Sequence, residues 1–266
     1  MGFFANFKAQ KAYTLQTKGD YPGARALYEE AIAGGMKNPR FMLSYAVLLI
    51  RMGEYQVAKD HLVKVQKLPN LAAEQKVQLF IDYAACCFKL GDVDRGVNLL
   101  ERQHQRQPSG LLYETLGYLY VEKFEPARKP VATGEVPPVE EGEEPVAPKT
   151  QEELDAQWEE GKAAALAFLH EAVDYDDEDA IVLDNLAQFY YRVLGDKTEA
   201  RKWFDKAIAI KEGQIDTLWF LSRYDLDNGD TAAAIEKLEK SLEGRFSVLN
   251  YHNKDQVEAE LARLKK

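Results

Sequence analysis

Basic residues, cysteines and long apolar runs are all scarce in this chain of 266 residues. Lys and Arg together number 34 against 44 Asp and Glu, which gives a formal net charge of -10. Because this charge repels a polyanion, we expect no nucleic acid partner. No run approaches the roughly 20 apolar residues of a membrane-spanning helix, and the first stretch, MGFFANFKAQKAY, lacks the apolar core of a signal peptide. The sequence therefore predicts a cytoplasmic chain that makes no use of a membrane.

The two cysteines are adjacent in the sequence, as Cys86 and Cys87. On a helix their side chains point about 100° apart, so a disulfide between them would distort the helix. We expect two thiols packed in a core, which is typical of a reducing compartment.

Motifs for catalysis and metal binding are missing as well. The sequence has no glycine-rich phosphate loop and no GxSxG turn. The run DYDDED at 174–179 has alternating acids, but Asp179 and Asn185 stand where a calcium loop requires glycine and glutamate, so we interpret it as an acidic turn. Four histidines lack a partner at metal-ligand spacing and are expected at the surface or an edge: His61, His104, His170 and His252. The sequence therefore predicts no cofactor, no metal site and no enzymatic activity.

What the chain does contain is a repeat. Glycine followed by an acidic residue returns at intervals of 34 or 38 residues within two series, at Gly19, Gly53 and Gly91 and then at Gly195 and Gly229. Amphipathic stretches such as FMLSYAVLLIRM and QVAKDHLVKV precede and follow these turns. Glycine ends one helix in the left-handed conformation, and the acid caps the next helix. Small residues at fixed offsets, such as Ala84 and Gly96, let the two helices approach. Each unit is thus a helix, a tight turn and a second helix.

These motifs resemble the tetratricopeptide repeat family. The stretches YETLGYLY at 113–120 and LDNLAQFYY at 183–191 match the first helix of the family pattern, and GDYPGARALYEEAI matches the second. Six copies begin near residues 5, 39, 77, 110, 180 and 215. The resemblance implies an all-α, right-handed superhelical solenoid of about six helix-turn-helix repeats. A C-terminal capping helix at 253–266 would carry Val257, Leu261 and Leu264 on one face.

An insertion interrupts the fourth copy. Residues 1–123 hold three repeats and the first helix of the fourth, and residues 151–252 hold its second helix and repeats five and six, in one continuous solenoid. Between them, residues 124–150 are rich in Glu and contain six of the ten prolines. Because dense proline blocks regular pairing and like charges repel, we expect an extended, mobile loop at about 125–149, either a tolerated insertion or a functional tether.

The helix after the insertion is expected to begin early. Thr150 and Glu153 form a capping-box pattern, which predicts a helix of about 23 residues that starts at Gln151. Its overhang contains Leu154 and Trp158, which either pack on the repeats or offer a partner an aromatic anchor.

The family resemblance also implies where a partner would bind. The first helices of such repeats line a concave groove, and a non-catalytic scaffold of this kind binds a segment of another protein there. The positions placed in the groove are Tyr13, Arg40, Leu43, Val47, Arg51, Ile81, Glu114, Tyr118, Asp184, Gln188, Tyr191, Arg192, Trp219 and Arg223.

One comparison with the family argues against one class of partner, the carboxyl termini of chaperones. Family members that hold chaperone carboxyl termini do so with Lys, Asn and Arg side chains, and none of these types stands at the first set of matching positions, which are Ala9, Tyr13, Ser44, Gln78 and Asp82. In the last three copies Asn185 alone matches, so a chaperone tail is not the expected partner. Two alternatives stay open: self-association through Phe3, Phe4 and Phe7, and an enzyme accessory subunit.

Overall fold

A computed structural model describes residues 2–134 and 147–266, with side chains from Phe4 onward. All regular structure in these ranges is helical. The α-helices are α1 Gly2–Thr17, α2 Tyr21–Ala33, α3 Pro39–Arg51, α4 Tyr55–Gln66, α5 Ala73–Lys89, α6 Val93–Arg106, α7 Gly110–Lys123, α8 Gln151–Tyr175, α9 Ala180–Gln188, α10 Lys197–Ile210, α11 Ile215–Asp227, α12 Thr231–Leu242 and α13 Lys254–Leu264. A π-helical turn, Phe189–Leu194, continues α9. Within the described ranges, no helix has the length and apolar character to cross a bilayer.

The helices form two compact units. Unit 1 consists of Met1–Leu116 together with Phe246–Asn253, and its core includes Tyr28, Leu48 and Leu62. Val248, from the second of these segments, packs against that core. Unit 2 consists of Gly117–Arg245 and Lys254–Lys266, and one of its clusters joins residues of α7 to α9 with the π-helical turn. In both units consecutive helices pack as pairs, which confirms the predicted all-α repeat architecture.

The turn between paired helices has the predicted chemistry. Gly91 has a φ of +88°, a left-handed value that glycine adopts without strain. Asp92 then accepts a hydrogen bond from the backbone N–H of Arg95 at 3.3 Å, which caps α6. The turn between α3 and α4 differs. There the Glu54 side chain does not cap α4 and pairs with Arg25 instead.

Small residues lie where the helices of a pair approach. A methyl group added to Gly96 on α6 would lie 3.0 Å from the backbone oxygen of Ala84 on α5, and one added to Gly117 on α7 would lie 3.1 Å from the Leu169 side chain on α8. The prediction that small residues permit close helix packing is confirmed at these two positions.

Helix α8 begins at Gln151, as its capping box predicts. The Thr150 backbone N–H donates to Glu153 Oε2 at 2.8 Å, and the Glu153 backbone N–H donates to Thr150 Oγ1 at 3.2 Å. The Trp158 ring packs edge-on against Phe124 at a centroid distance of 5.1 Å. The overhang of α8 therefore packs on unit 2 through Trp158.

The insertion differs from expectation in its first part. Residues Pro126–Arg128 form a 3-10 turn rather than an extended chain. Shortly after it, the backbone N–H of Ala132 donates to Gln151 Oε1 at 2.9 Å, and Lys129 pairs with Asp155 at 3.0 Å. These polar contacts hold the segment after the 3-10 turn against the first residues of α8. The expected mobile loop otherwise falls on residues 135–146, which lie outside the described residues.

One histidine was predicted wrongly, and the cysteines were predicted correctly. His61 is buried rather than superficial, and its Nε2 lies 2.9 Å from the Met42 backbone oxygen. A buried imidazole needs such a partner, and sequence spacing does not reveal it. Cys86 and Cys87 are buried free thiols, and burial raises the pKa of Cys86 to about 12.

Candidate functional site

The residues predicted to bind a partner fall on the first helix of each pair and divide between the two units. The first-helix face of unit 1 comprises Tyr13, Arg40, Leu43, Val47, Arg51, Ile81 and Glu114. The first-helix face of unit 2 comprises Tyr118, Asp184, Gln188, Tyr191, Arg192, Trp219 and Arg223. The two faces differ in how exposed their residues are and in the partners of those residues.

The first-helix face of unit 1 presents exposed guanidinium groups above an apolar floor. Arg40 and Arg51 on α3 are exposed, Val47 is half-buried, and Leu43 is buried. The Arg40 guanidinium lies 5.5 Å from the centroid of the Tyr13 ring, within the range of a cation–π contact. Arginine held over an aromatic ring beside aliphatic side chains is typical of protein-binding surfaces.

A buried carboxyl group lies on α5 beside this face. Asp82 is only 7% exposed, and its Oδ1 accepts a hydrogen bond of 2.8 Å from Gln78 Nε2. Its Oδ2 is buried and has no hydrogen-bond partner among the described residues. Burial raises the pKa of Asp82 to about 7, and the Gln78 hydrogen bond only partly opposes that shift.

The first-helix face of unit 2 is organised around a buried arginine. The Arg192 side chain is 5% exposed. It donates from Nη2 to Glu122 at 2.8 Å, from Nε to Glu125 at 2.7 Å and from Nη1 to Gln188 at 2.9 Å. Burial works to lower the pKa of Arg192, but the two glutamate charges outweigh burial and raise it. The Arg192 guanidinium is therefore already hydrogen-bonded to acceptors within unit 2.

The network extends inward through Gln188. This side chain has no exposed surface, and its Nε2 donates to Asp184 Oδ2 at 2.7 Å. Thr217 donates to the other oxygen of Asp184. Burial raises the pKa of Asp184, and the hydrogen bonds from Thr217 and Gln188 oppose that rise. The structure thus places Gln188 inside unit 2, although it was expected to line a groove.

The last residues of the face of unit 2 are tied to the C-terminal helix. The Arg223 guanidinium lies 4.3 Å from the Trp219 ring centroid and pairs with Glu260 on α13. Glu260 also accepts a hydrogen bond of 2.7 Å from Arg263. The hydrogen bond from Arg263 is the first of several interactions that lower the pKa of Glu260 to about 2, and Arg223 contributes as well. This contact gives α13 a structural role in addition to the burial of Val257.

The residues predicted to bind a partner differ in how exposed they are. Arg40 and Arg51 are exposed. Five others are half-buried: Tyr13, Val47, Glu114, Tyr191 and Arg223. The remaining predicted residues are buried or nearly buried: Leu43, Ile81, Tyr118, Asp184, Gln188, Arg192 and Trp219. Members of this last group support the faces and offer a partner little surface.

Two depressions lie elsewhere on the units. One of about 580 Å³ in unit 1 is lined by Leu62, Phe80 and Tyr83 and has both acidic and basic residues around it. One of about 610 Å³ in unit 2 is lined by Leu183 and Trp203, among others, and the Trp203 Nε1 is buried without a hydrogen-bond partner in the described part of the chain. The described residues contain no cluster of three or more His, Cys, Asp or Glu side chains that would hold a metal ion.

Sequence reasoning named Asp82 only as a poor match to a carboxylate-binding position and did not predict its burial. It also missed Glu122 and Glu125 as partners of Arg192. The spacing of Asp184, Gln188 and Arg192 by four residues was a signal for a hydrogen-bonded row on one helix face. No local pattern indicates the glutamates, because 70 and 67 residues separate them from Arg192.

Comparison with protein families identifies the repeat. Two family models, each described as tetratricopeptide repeat, match residues 10–62 and residues 180–212. These ranges cover helices α2 and α3 in unit 1 and helices α9 and α10 in unit 2. No curated protein sequence matches the chain.

Solved structures share the fold at low sequence identity. A thermophilic tetratricopeptide repeat (TPR) protein of Thermus thermophilus is 17% identical to this chain, with a TM-score of 0.61. The match covers 86% of this chain and 99% of that protein. MamA of Desulfovibrio magneticus RS-1 is 18% identical, with a TM-score of 0.53 over 80% of this chain and 98% of the other. The human IFIT1 dimer with m7Gppp-AAAA is 18% identical, with a TM-score of 0.59, and the match covers 96% of this chain but 53% of IFIT1. These similarities show the fold.

Proposed function

Because this chain is a tetratricopeptide repeat protein, we propose that it is a non-catalytic scaffold that binds a segment of another protein on its first-helix faces. The observation that carries this proposal is the combination on α3 of exposed Arg40 and Arg51 with half-buried Val47. Exposed arginine beside apolar surface suits a protein segment, which offers both apolar and polar side chains. The proposal assigns no catalytic residue.

Charge favours a protein over an oligonucleotide as the partner. The chain carries a formal net charge of -10. A phosphate backbone would be repelled by this net negative charge. The oligonucleotide bound to the IFIT1 structure is therefore not carried over to this chain.

The proposal is tested with peptides selected from a displayed random library against the full chain. Arg40→Glu combined with Arg51→Glu reverses two charges on the first-helix face of unit 1. The matched control combines Lys64→Glu with Lys67→Glu, which makes the same charge change at exposed positions at the end of α4. We expect the first variant to lose binding at least tenfold and the control to bind as wild type does. Equal binding by all three proteins, or no selected peptide at all, would contradict the proposal.

A second candidate function is self-association through the first helix. Phe4 is 76% exposed and Phe7 is 54% exposed, and the Lys11 ammonium lies 4.7 Å from the Phe7 ring centroid. Two such aromatic side chains on a surface favour burial against another surface. Light scattering over a concentration series tests this candidate: a mass that rises in wild type but not in Phe4→Ser with Phe7→Ser supports it, and a constant monomer mass removes it.

A further inference from the structure

The unpaired oxygen of Asp82 is an unusual feature of unit 1. A buried polar atom normally has a hydrogen-bond partner, because leaving it unpaired forfeits the interactions it had with water. Asp82 is more than nine-tenths buried, and only its Oδ1 is paired, with Gln78. Among the described residues, one acceptor of this carboxyl group, Oδ2, therefore has no hydrogen-bond partner.

The unpaired oxygen of Asp82 lies close to the proposed binding face. Asp82 adjoins Ile81 on α5, and α5 packs against α3, which carries Arg40, Val47 and Arg51. Gln78 lies one turn before Asp82 and is only half-buried. Because Asp82 Oδ2 is itself buried, a donor from a partner reaches it only if a side chain around it other than Gln78 shifts.

We infer that Asp82 accepts a hydrogen bond from the positively charged side chain of a Lys or Arg residue in the partner segment. This inference rests on the proposed function, since it names the chemistry that the first-helix face of unit 1 selects. Gln78 holds one carboxyl oxygen in place and leaves the other for the partner. A charge-assisted hydrogen bond would satisfy that oxygen and also compensate the buried negative charge.

A cation fits this position better than a neutral donor does. A hydroxyl or amide group would satisfy a lone pair of Oδ2 but leave the charge of Asp82 buried and uncompensated. A partner carboxylate would add a second negative charge at the same place. The net charge of -10 also favours the approach of a basic segment over an acidic one.

The experiment uses the full chain and N-acetylated decapeptides selected from the library described above, so that the peptide amino terminus is not a competing cation. Each selected peptide is resynthesised with its Arg replaced by citrulline or its Lys replaced by norleucine, which removes the charge but keeps much of the shape. Dissociation constants are measured for wild type and for Asp82→Asn. Asp82→Ser serves as a second variant, and circular dichroism checks that all proteins are equally helical.

We expect the selected peptides to share a Lys or Arg, and wild type to lose at least tenfold in affinity when that residue is neutralised. Asp82→Asn and Asp82→Ser should bind the charged and neutral peptides within twofold of each other. If wild type binds both peptides equally, or if the Asp82 variants keep the full preference for charge, Asp82 is not the acceptor.

A third variant separates failure of this inference from failure of the proposed function. Val47→Trp adds bulk to the first-helix face of unit 1 without changing its charge. Peptides that lose affinity for Val47→Trp but not for Asp82→Asn bind the face without using Asp82, which overturns the inference alone. Peptides that bind both variants as they bind wild type lie elsewhere, which overturns the proposed function for unit 1 and the inference with it.

Discussion

Arg192 donates a hydrogen bond to Glu122, which lies 70 residues earlier in the chain, and both side chains are almost fully buried. Glu125 accepts a second hydrogen bond from the same guanidinium. Within unit 2, this ion pair ties the π-helical turn after α9 to the end of α7. A buried ion pair is costly to break, because removal of one partner leaves the other charge without compensation.

We therefore expect Arg192→Met to destabilise unit 2 strongly. The variant leaves Glu122 and Glu125 facing an apolar side chain, and the free energy of unfolding should fall by about 3 to 5 kcal/mol. Urea unfolding followed by circular dichroism measures the change. Lys197→Met is the control, because the Lys197–Asp227 pair is exposed and should contribute at most about 1 kcal/mol. Equal losses in the two variants would contradict the assignment.

Asp82 predicts an unusual dependence of stability on pH. Burial raises its pKa to about 7 in the folded chain, so the folded state binds this proton more tightly than the unfolded state does. The contribution of Asp82 to stability is therefore full below about pH 4 and is lost as the pH rises through 7. The difference of about three pKa units sets a ceiling of about 4 kcal/mol.

Asp82→Asn removes this titration. The variant should unfold at a higher temperature than wild type at pH 8, and the gain should shrink at pH 5, where the wild-type carboxyl group is protonated. Thermal melts at the two pH values measure both effects. A gain of the same size at both pH values would show that Asp82 does not titrate in this range.

Glu260 behaves in the opposite sense. The hydrogen bond from Arg263, together with Arg223, lowers its pKa to about 2, so its contribution to stability is full above about pH 4.5 and is lost as the pH falls through 2. Glu260→Gln should lower the stability of unit 2 at pH 7 by about 1 to 2 kcal/mol. The loss should be much smaller at pH 2.5 in an acid-unfolding series. Lys254→Gln, which affects a surface pair on the same helix, should change stability little.

Gly229 tests the turn chemistry. Its φ of +80° is a left-handed value that is strained for side-chain-bearing residues, so Gly229→Ala should cost about 1 to 2 kcal/mol, and Gly229→Asn should cost less. Gly213→Ala is the matched control, since nothing lies within 4 Å of an added methyl group and its φ is not left-handed. Similar effects at positions 213 and 229 in chemical denaturation would argue against a conformational role for Gly229.

Local physics explains which features were predictable from the sequence. The glycine–acid turns and the Thr150–Glu153 capping box depend on residues within a few positions of each other, so their chemistry can be inferred directly from spacing. The packing of Trp158 was predictable because an apolar side chain on the overhang of α8 is expected to pack against other apolar side chains. The structure shows it against Phe124.

Long-range pairing explains most of what was missed. The Arg192–Glu122 pair joins residues on either side of the insertion, and no periodicity within one helix indicates it. The burial of Asp82 depends on the packing of neighbouring helices, whereas its own sequence context, QLFIDYAACC, indicates only a helix. For the same reason, Gln188 and Arg192 were predicted as groove residues although the structure buries them.

Photo-crosslinking tests whether the first-helix face of unit 1 binds a protein segment. A photoreactive residue is placed at Val47 on α3, or at exposed Val57 on α4 as a control, and each protein is irradiated with a selected peptide. We expect an adduct from position 47 that is lost on competition with unlabelled peptide, and little adduct from position 57. Adducts from position 57 alone, or equal adducts from both positions, would contradict this expectation.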